Sequence, residues 1–470
     1  MNQFRRLLFN TALKIAAWSQ IDATQYHGKR PYRPVYTKDL RRQLTPRDLQ
    51  TLWSHANGLY LNLGPAKGAI VDKAVYAVGR AWRPRFTGAD RDWGKAAAAW
   101  LAGQWYGACE AGGNMNDFVT CLLLVCIAVD RDGDCGILLT ESEAGWPQFQ
   151  LIPAQRIWSA PDRPAPAGCQ WDKGVLYSPR GNPVRYCIVS GAPDAEAVEV
   201  EAANFIHVYD PEFFGQGRGL PAFTHAILDL QDYQSIQDYE KRASMIASSI
   251  ALLETNEEGA SVGEKLAGQK NDGFTSEEFE DGTIRYFKSG SGGKLEAWQH
   301  SRPGSATTDF LDRLLRNALA GVGWPYELLW SAKDARGANI RALVARAART
   351  VEDRQDLLRG VAKRLVGYAV AKAVKTKRLP ASPDWWRWDF TMPPHISVDA
   401  GYDAAADRED YALGFKNLAD ILAKWGKDPE THLRERAAEW QLLEQIAADT
   451  GVPVERLVNL ALKNPAVAAP

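Results

Sequence analysis

The sequence predicts an α+β protein that is predominantly helical and divided into several subdomains. Three observations predict this class. The chain has 470 residues, which exceeds the size at which a single core usually stops growing. Apolar residues recur at helical spacing through the first quarter and the second half of the chain. Short runs rich in β-branched and aromatic residues, separated by Gly, Pro and Asp, occupy residues 136–209.

Charge and cysteine usage exclude several kinds of protein. The 56 Lys and Arg residues nearly balance the 57 Asp and Glu residues, which argues against a protein that grips DNA by neutralising many phosphates. The six cysteines form no CxxC pair and stand beside no histidine cluster, so we expect reduced thiols, no metal site and no cofactor. The longest apolar run, Cys121–Val129, is too short to span a bilayer. No export signal is visible, which fits assembly in the cytoplasm.

The first third of the chain is predicted to be mostly helical. Thr45, Pro46 and Asp48 occupy the N-cap, first and third positions of a helix start. The expected helices cover residues 1–18 (amphipathic), 46–58, 65–82, 95–109 and 115–129. Six strands should follow and form one antiparallel subdomain, over residues 136–140, 148–152, 174–177, 184–189, 197–200 and 205–209.

The second half is predicted to return to helices around one polar insertion. A helix over residues 221–251 precedes the polar stretch 254–301, which contains the strand-like Thr283–Lys288. Trp385, Trp386 and Trp388 stand in an irregular or β segment that we assign to a core or an interface, because duplex DNA offers no exposed bases for stacking. The other expected helices cover residues 308–321, 339–373, 402–424, 428–450 and 453–462.

One arrangement is specific to a known family. Ile206–Pro211 runs as a strand into the turn Gly215-Gln216-Gly217-Arg218-Gly219, and a helix rich in Asp and Tyr follows. The other motifs of the pattern are Asn116–Asp134, Phe149–Pro153, Ala320–Gly323 before Tyr326–Leu329, and Asp399–Tyr402. In this order and spacing the chain resembles the lambda-like family of phage portal proteins from about Arg41 to Val454. It departs from the family at Phe213-Phe214, where a basic residue often stands.

The resemblance implies a portal fold with wing, stem, clip and crown, assembled as a dodecameric ring at one vertex of the virion capsid. Double-stranded DNA would pass through the ring during packaging and ejection. The implied partners are the terminase large subunit, a head–tail adaptor, and the major capsid and scaffold proteins, with no membrane. The implied segments are wing 1–219, stem helix 220–251, clip 252–302, stem helix 303–323, tunnel loop 324–339, long wing helix and wing β segment 340–401, and crown 402–470.

Candidate functional residues follow from that division. In the tunnel loop, Lys333 and Arg336 would touch DNA phosphates transiently, Asp334 would offset their charge and Gly337 would give the backbone freedom; solvated loop charges are the alternative. Lys241 and Arg242 in the first stem helix would face the lumen or pair with Asp238 and Glu240 of a neighbouring copy. The arginines of the long helix, at positions 341, 346, 349, 354 and 359, would form ion pairs between subunits. The docking face of the clip would carry Glu277, Glu278, Glu280 and Asp281.

Two motifs favour a structural interpretation. Gly215, Gln216, Arg218 and Gly219 should form a tight turn rather than a phosphate loop, since no Lys-Ser/Thr pair follows. Asp130–Glu141 matches parts of a calcium loop, but Cys135 replaces the required glycine and no exit helix can follow. We therefore expect a turn from a helix into a strand there.

The competing functions are an enzyme and a different structural ring of a phage. The sequence contains no nucleophile elbow, HExxH or Walker motif, so no catalytic residue is assigned. Its many carboxylates leave open a hydrolase that uses a carboxylate pair.

Overall fold

The protein is described from a computed structural model. The structure describes residues 44–79, 82–112, 117–158, 163–189, 197–256, 274–279, 282–288, 294–296, 304–329, 338–393, 396, 400–423, 429–452 and 454. The chain forms two compact units. Unit 1 takes its described residues from Met1–Ile70, Asp130–Gly133 and Pro211–Asp334, and unit 2 takes them from Val71–Val129, Asp134–Asp210 and Ala335–Pro470.

Helices dominate the described part of the chain. They are α1 (Pro46–Asn62), α2 (Gly64–Val78), α3 (Arg91–Trp100), α4 (Phe118–Asp132), α5 (Ile227–Ser249), α6 (Ser305–Val322), α7 (Tyr326–Leu329), α8 (Ala338–Lys375), α9 (Ala400–Ala412), α10 (Leu418–Ala423) and α11 (Pro429–Thr450). None of these helices is long and apolar enough to cross a membrane.

The strands form four sheets. They are β1 (Arg83–Phe86), β2 (Asp134–Glu141), β3 (Pro147–Pro153), β4 (Gln170–Asp172), β5 (Val175–Tyr177), β6 (Pro183–Ile188), β7 (Val198–Glu201), β8 (Phe205–Tyr209), β9 (Ile250–Asn256), β10 (Phe274–Phe279), β11 (Gly282–Lys288), β12 (Lys294–Glu296) and β13 (Trp388–Thr391). The strand orders are β1-β13, β10-β11-β9-β12, β3-β2-β8 and β4-β5-β6-β7.

The first helix begins as the sequence predicts. The Thr45 hydroxyl accepts from the backbone N–H of Asp48, and the Asp48 carboxylate accepts from the backbone N–H of Thr45, so a capping box closes the helix start. The helix predicted over residues 95–109 is not uniform, because α3 passes into a π-helical turn, Leu101–Trp105, and a 3₁₀ turn, Tyr106–Ala108.

The middle strands are antiparallel, as predicted, but they form two sheets rather than one. The β2 strand pairs with both β3 and β8, whereas β4 to β7 form a separate meander. Side chains from both sheets share one core in unit 2, which includes Ile152, Val175, Tyr186 and Phe205. The β-rich composition of these segments predicts that they are strands, but this core selects their partners.

The tryptophan segment belongs partly to a core. Trp388 is buried and its ring lies 5.3 Å from that of Phe86 and 6.2 Å from that of Trp93. Trp386 is exposed instead. The β1–β13 pairing that holds this cluster joins residues about 300 positions apart. No pattern in the sequence indicated β1.

The polar insertion in unit 1 is a small sheet. The first long helix was expected to end near Ala251, but α5 ends at Ser249 and the chain continues directly as β9. The predicted strand Thr283–Lys288 is present as β11, which pairs with β9 in parallel and with β10 in antiparallel fashion.

The C-terminal helices are interrupted where one helix was predicted over residues 402–424. Gly414 has φ +78°, and Lys416 forms ion pairs with Asp407 and Asp410, so the chain turns between α9 and α10. The helix predicted over residues 428–450 is present as α11. The amphipathic helix predicted at residues 1–18 lies outside the described residues, as does nearly all of the helix predicted over 453–462.

Candidate functional site

The turn before α5 is held by one glutamine side chain. The Gln216 Oε1 accepts from the backbone N–H of Glu212 (2.6 Å) and of Phe213 (3.3 Å), and its Nε2 donates to the carbonyl oxygen of Arg218 (2.9 Å). Gln216 is buried, and Gly215 has φ +74°, a conformation that favours glycine. The predicted tight turn is therefore present, and Gln216 fixes it.

Arg218 is among the largest fully buried side chains described, at 1% exposure. Its guanidinium lies 5.2 Å from the centroid of the Trp53 ring, a cation–π contact. The Trp53 indole N–H in turn donates to the carbonyl oxygen of Asp132 (2.8 Å), and the Asn57 amide donates to the Asp132 carboxylate (2.9 Å). Arg218 thus anchors the turn inside unit 1, which agrees with the structural role that the sequence suggested.

The acidic run at the end of α4 is a turn from a helix into a strand. The helix continues through Asp132, Gly133 has φ +91°, and β2 begins at Asp134. Asp130, Asp132 and Asp134 are buried, and Asp134 lies 3.1 Å from the Nε2 of His207. Among the residues that the structure describes, no group of three or more His, Cys, Asp or Glu side chains could hold a metal ion.

The two predicted stem helices, α5 and α6, pack against each other. The Asn317 amide near the end of α6 donates to Asp229 near the start of α5 (2.8 Å), so the helices run antiparallel. The ring of His225 lies over Gly321, where an added Cβ would come within 2.0 Å of it. Their shared buried face consists of Ile227, Leu230, Tyr233, Leu315, Ala318, Leu319 and Val322.

Charges on this helix pair are mixed and slightly acidic. The two helices carry six Asp or Glu residues and four Lys or Arg residues. Lys241 and Arg242 are exposed, and the Lys241 ammonium lies 3.5 Å from the Asp238 carboxylate of the same helix. Lys241 therefore already has a partner within its own chain, although an exposed pair of this kind contributes little stability.

The segment predicted as a tunnel loop begins with a buried anchor. Trp324 and Tyr326 are buried, and the Tyr326 hydroxyl donates to the Asp312 carboxylate on α6 (2.9 Å). Burial and the hydrogen bond to Asp312 raise the pKa of the Tyr326 phenol above its ordinary value. Arg316 packs over the Tyr326 ring at 4.9 Å and pairs with Glu327 at 3.2 Å. The segment after α6 thus starts from a fixed point, and the bond from Tyr326 to Asp312 that fixes it was not indicated by the sequence.

The structure describes only some of the candidate residues of the predicted tunnel loop and clip. Lys333, Asp334, Arg336 and Gly337 lie outside the described residues. Glu277 and Glu278 lie in β10, where their Cα atoms pair with those of Ile284 and Thr283. Glu280 and Asp281 also lie outside the described residues.

Two arginines of the long helix α8 form ion pairs with carboxylates of the same chain. Arg354 pairs with Asp210 at 3.2 Å, and Arg359 pairs with Asp356 on its own helix at 2.9 Å. Arg359 also lies 3.9 Å from Asp389, beside Lys363. The carboxylate partners of these two arginines lie in unit 2 of the same chain, and ion pairs between subunits stay a prediction.

Comparison with known proteins identifies the family. The family model "Phage portal protein, lambda family" matches residues 35–375. No curated protein sequence matches the chain. Among solved structures, the neck of a native gene transfer agent particle, computed with C12 symmetry, is 13% identical, covering 81% of this chain and 94% of that one, with a TM-score of 0.48. A crystal structure of an HK97-family phage portal protein from Corynebacterium diphtheriae is 12% identical, covering 64% and 88%, with a TM-score of 0.33.

The family model spans well over half of the chain, so the fold is that of a structural protein of the virion. The chain belongs to the lambda family of phage portal proteins, and its role in DNA packaging follows from that family.

Proposed function

We propose that copies of this chain close into a ring and that α5 and α6 line its channel for double-stranded DNA. One observation carries the proposal. Two antiparallel helices are held together by Asn317 and Asp229; α5 continues directly as β9, and α6 is the next described helix along the chain after β12. A pair of this shape can span a ring wall and present the sheet at one end. Twelve copies is the number that the family resemblance implies.

We assign the parts of the ring to the segments predicted from the sequence. Residues 1–219 and 340–401 form the wing, 220–251 and 303–323 the stem, 252–302 the clip, 324–339 the tunnel loop and 402–470 the crown. The α5–α6 pair and the buried anchor at Tyr326 support the stem and the start of the tunnel loop.

The channel must guide DNA without retaining it. Each phosphate neutralised by Lys or Arg adds to affinity and slows release. A slightly acidic helix pair with few basic side chains meets this requirement, and Lys241 and Arg242 are exposed on it. In the tunnel loop, Lys333 and Arg336 would touch phosphates transiently, Asp334 would offset their charge and Gly337 would give the backbone freedom.

The clip is the proposed docking face. Glu277 and Glu278 lie in β10, and Glu280 and Asp281 follow them closely in the sequence. Acidic surfaces favour basic partners and raise association rates. We assign this face first to the terminase large subunit and later to the head–tail adaptor. The major capsid and scaffold proteins would surround the wing.

Electron microscopy of the purified full chain tests the proposal. End-on class averages should show rings with an axial channel of about 20 Å or more, wide enough for B-form DNA. Particles of single-subunit size that persist across protein concentration and salt would overturn the ring.

A further inference from the structure

Exposed apolar side chains are concentrated near the C-terminal end of the described chain. Among the described residues, eighteen large apolar side chains are exposed, and eight of them lie between Tyr411 and Val452. Groups of exposed apolar side chains favour protein–protein contacts. The helix α11 carries four of the eight: Leu433, Trp440, Leu442 and Ile446.

These four side chains form two stripes on opposite sides of α11. Leu433 and Trp440 are seven residues apart and Leu442 and Ile446 are four apart, so each pair shares a face. Leu433 and Leu442 are nine residues apart, which is two and a half turns, so the two pairs face in opposite directions. Leu433 is 50% exposed and Leu442 is 55% exposed. Neither stripe is covered by the part of the chain that the structure describes.

We propose that each stripe of α11 is covered by a neighbouring copy of this chain, one copy on either side. This inference rests on the proposed ring and assigns one of its contacts. Two opposed stripes need two partners on opposite sides. In a closed ring every copy has two neighbours, and every interface joins one face of a copy to the other face of the next. A membrane surface would cover only one stripe.

Single substitutions to Asp test each stripe in the full chain. Leu433→Asp disables one stripe and Leu442→Asp disables the other. Gln441→Asp is the matched control, since it adds the same charge to the same helix between the stripes. By mass photometry, the concentration at half-assembly should rise at least about tenfold for both stripe variants, since burying one unpaired charge costs more than about 1.4 kcal/mol. It should stay near the wild-type value for Gln441→Asp. At protein concentrations at which the wild type and all three variants are monomeric, their thermal unfolding should be the same, because each site is exposed.

Mixing the two stripe variants gives a sharper result. In an equimolar mixture, the intact face of one variant meets the intact face of the other, so dimers form at concentrations where each variant alone is monomeric. Those dimers cannot extend, because both outer faces are defective. If both stripe variants assemble like Gln441→Asp while the wild type forms rings, this inference is overturned and the ring stands. If the wild type forms no ring, the proposed function itself fails.

Cross-linking provides a second test, in which covalent oligomers are the readout. Trp440 and Leu442 differ by about 3 Å in height and point about 160° apart. A Trp440→Cys/Leu442→Cys variant treated with a short bis-maleimide should give a ladder of covalent oligomers up to the full ring. Trp440→Cys alone should stop at low yields of dimer. Equal yields from the single and the double variant would contradict the proposal.

Discussion

Gly133 and Gly219 approach so closely that a Cβ on Gly133 would lie 2.6 Å from the carbonyl carbon of Gly219. Gly133 also has φ +91°. The carbonyl oxygen of Asp130 accepts from the N–H of Ala222 (2.8 Å) in the same region. The end of α4 and the turn before α5 are therefore held together backbone to backbone.

Replacing Gly133 should destabilise unit 1. Gly133→Ala adds a clash with backbone and forces an alanine into a positive-φ conformation, so we expect a loss of about 2 kcal/mol or more in the free energy of unfolding. Urea unfolding of Gly133→Ala and the wild type measures this loss of free energy. Gly58→Ala is the matched control, since Gly58 lies inside α1 with no atom near its added Cβ. That change should be neutral or stabilising by up to about 1 kcal/mol.

Removing the Gln216 side chain should loosen the turn. Gln216→Ala leaves two backbone N–H groups and one carbonyl without their partner, which costs about 1–3 kcal/mol. Limited proteolysis should then cut faster near Phe213. Phe214→Ser serves as the control, because Phe214 is fully exposed and its loss should change stability by no more than about 0.5 kcal/mol. If protease cut Gln216→Ala and the wild type at the same rate near Phe213, the Gln216 side chain would not be what holds the turn.

The anchor at the start of the proposed tunnel loop should depend on the hydroxyl of Tyr326. Tyr326→Phe removes the donor to Asp312 and keeps the ring beneath Arg316, so we expect a loss of about 1–2 kcal/mol. A double-mutant cycle with Asp312→Asn measures the coupling between the two side chains. A coupling energy near zero would show that the hydrogen bond does not hold the segment.

Alkaline pH should weaken unit 2 through Tyr368. Its hydroxyl donates to the carbonyl oxygen of Thr140, and burial, together with the charge of Glu141, raises the pKa of Tyr368 to about 12. The unfolded chain loses this proton near pH 10, before the folded chain does. The stabilisation that the protonated Tyr368 phenol contributes to the free energy of unfolding is therefore complete below pH 10 and declines as the pH rises toward 12. Urea unfolding should show a shallower decline for Tyr368→Phe over that interval, and identical declines would contradict the raised pKa.

Charge on the proposed channel wall should govern DNA contact. Lys241→Gln and Arg242→Gln should each lower the slope of log affinity against log salt by about one for short duplex DNA and assembled rings. Arg180→Gln, a change at an exposed residue in unit 2, should leave that slope unchanged. Unchanged slopes for both channel variants would remove Lys241 and Arg242 from the DNA path.

The sequence by itself determined the type of most elements, because the deciding signals are local. The capping box at Thr45, the short β-rich runs from β2 to β8 and the long periodic helix α8 are indicated by residues close together in the sequence. The glycines around Gln216 indicated a tight turn for the same reason. The order of motifs along the chain indicated the family, which the match over residues 35–375 shows.

Only the tertiary structure decided which distant groups meet. The pairing of β1 with β13, the division of the middle strands into two sheets, and the bond from Tyr326 to Asp312 depend on chain segments brought together by the core. The sequence predicted a turn from a helix into a strand around Gly133, but only the structure shows that a glycine is required there, because another backbone passes within contact of it. Sequence periodicity reports which face of an element is apolar, whereas packing selects the partner that covers that face.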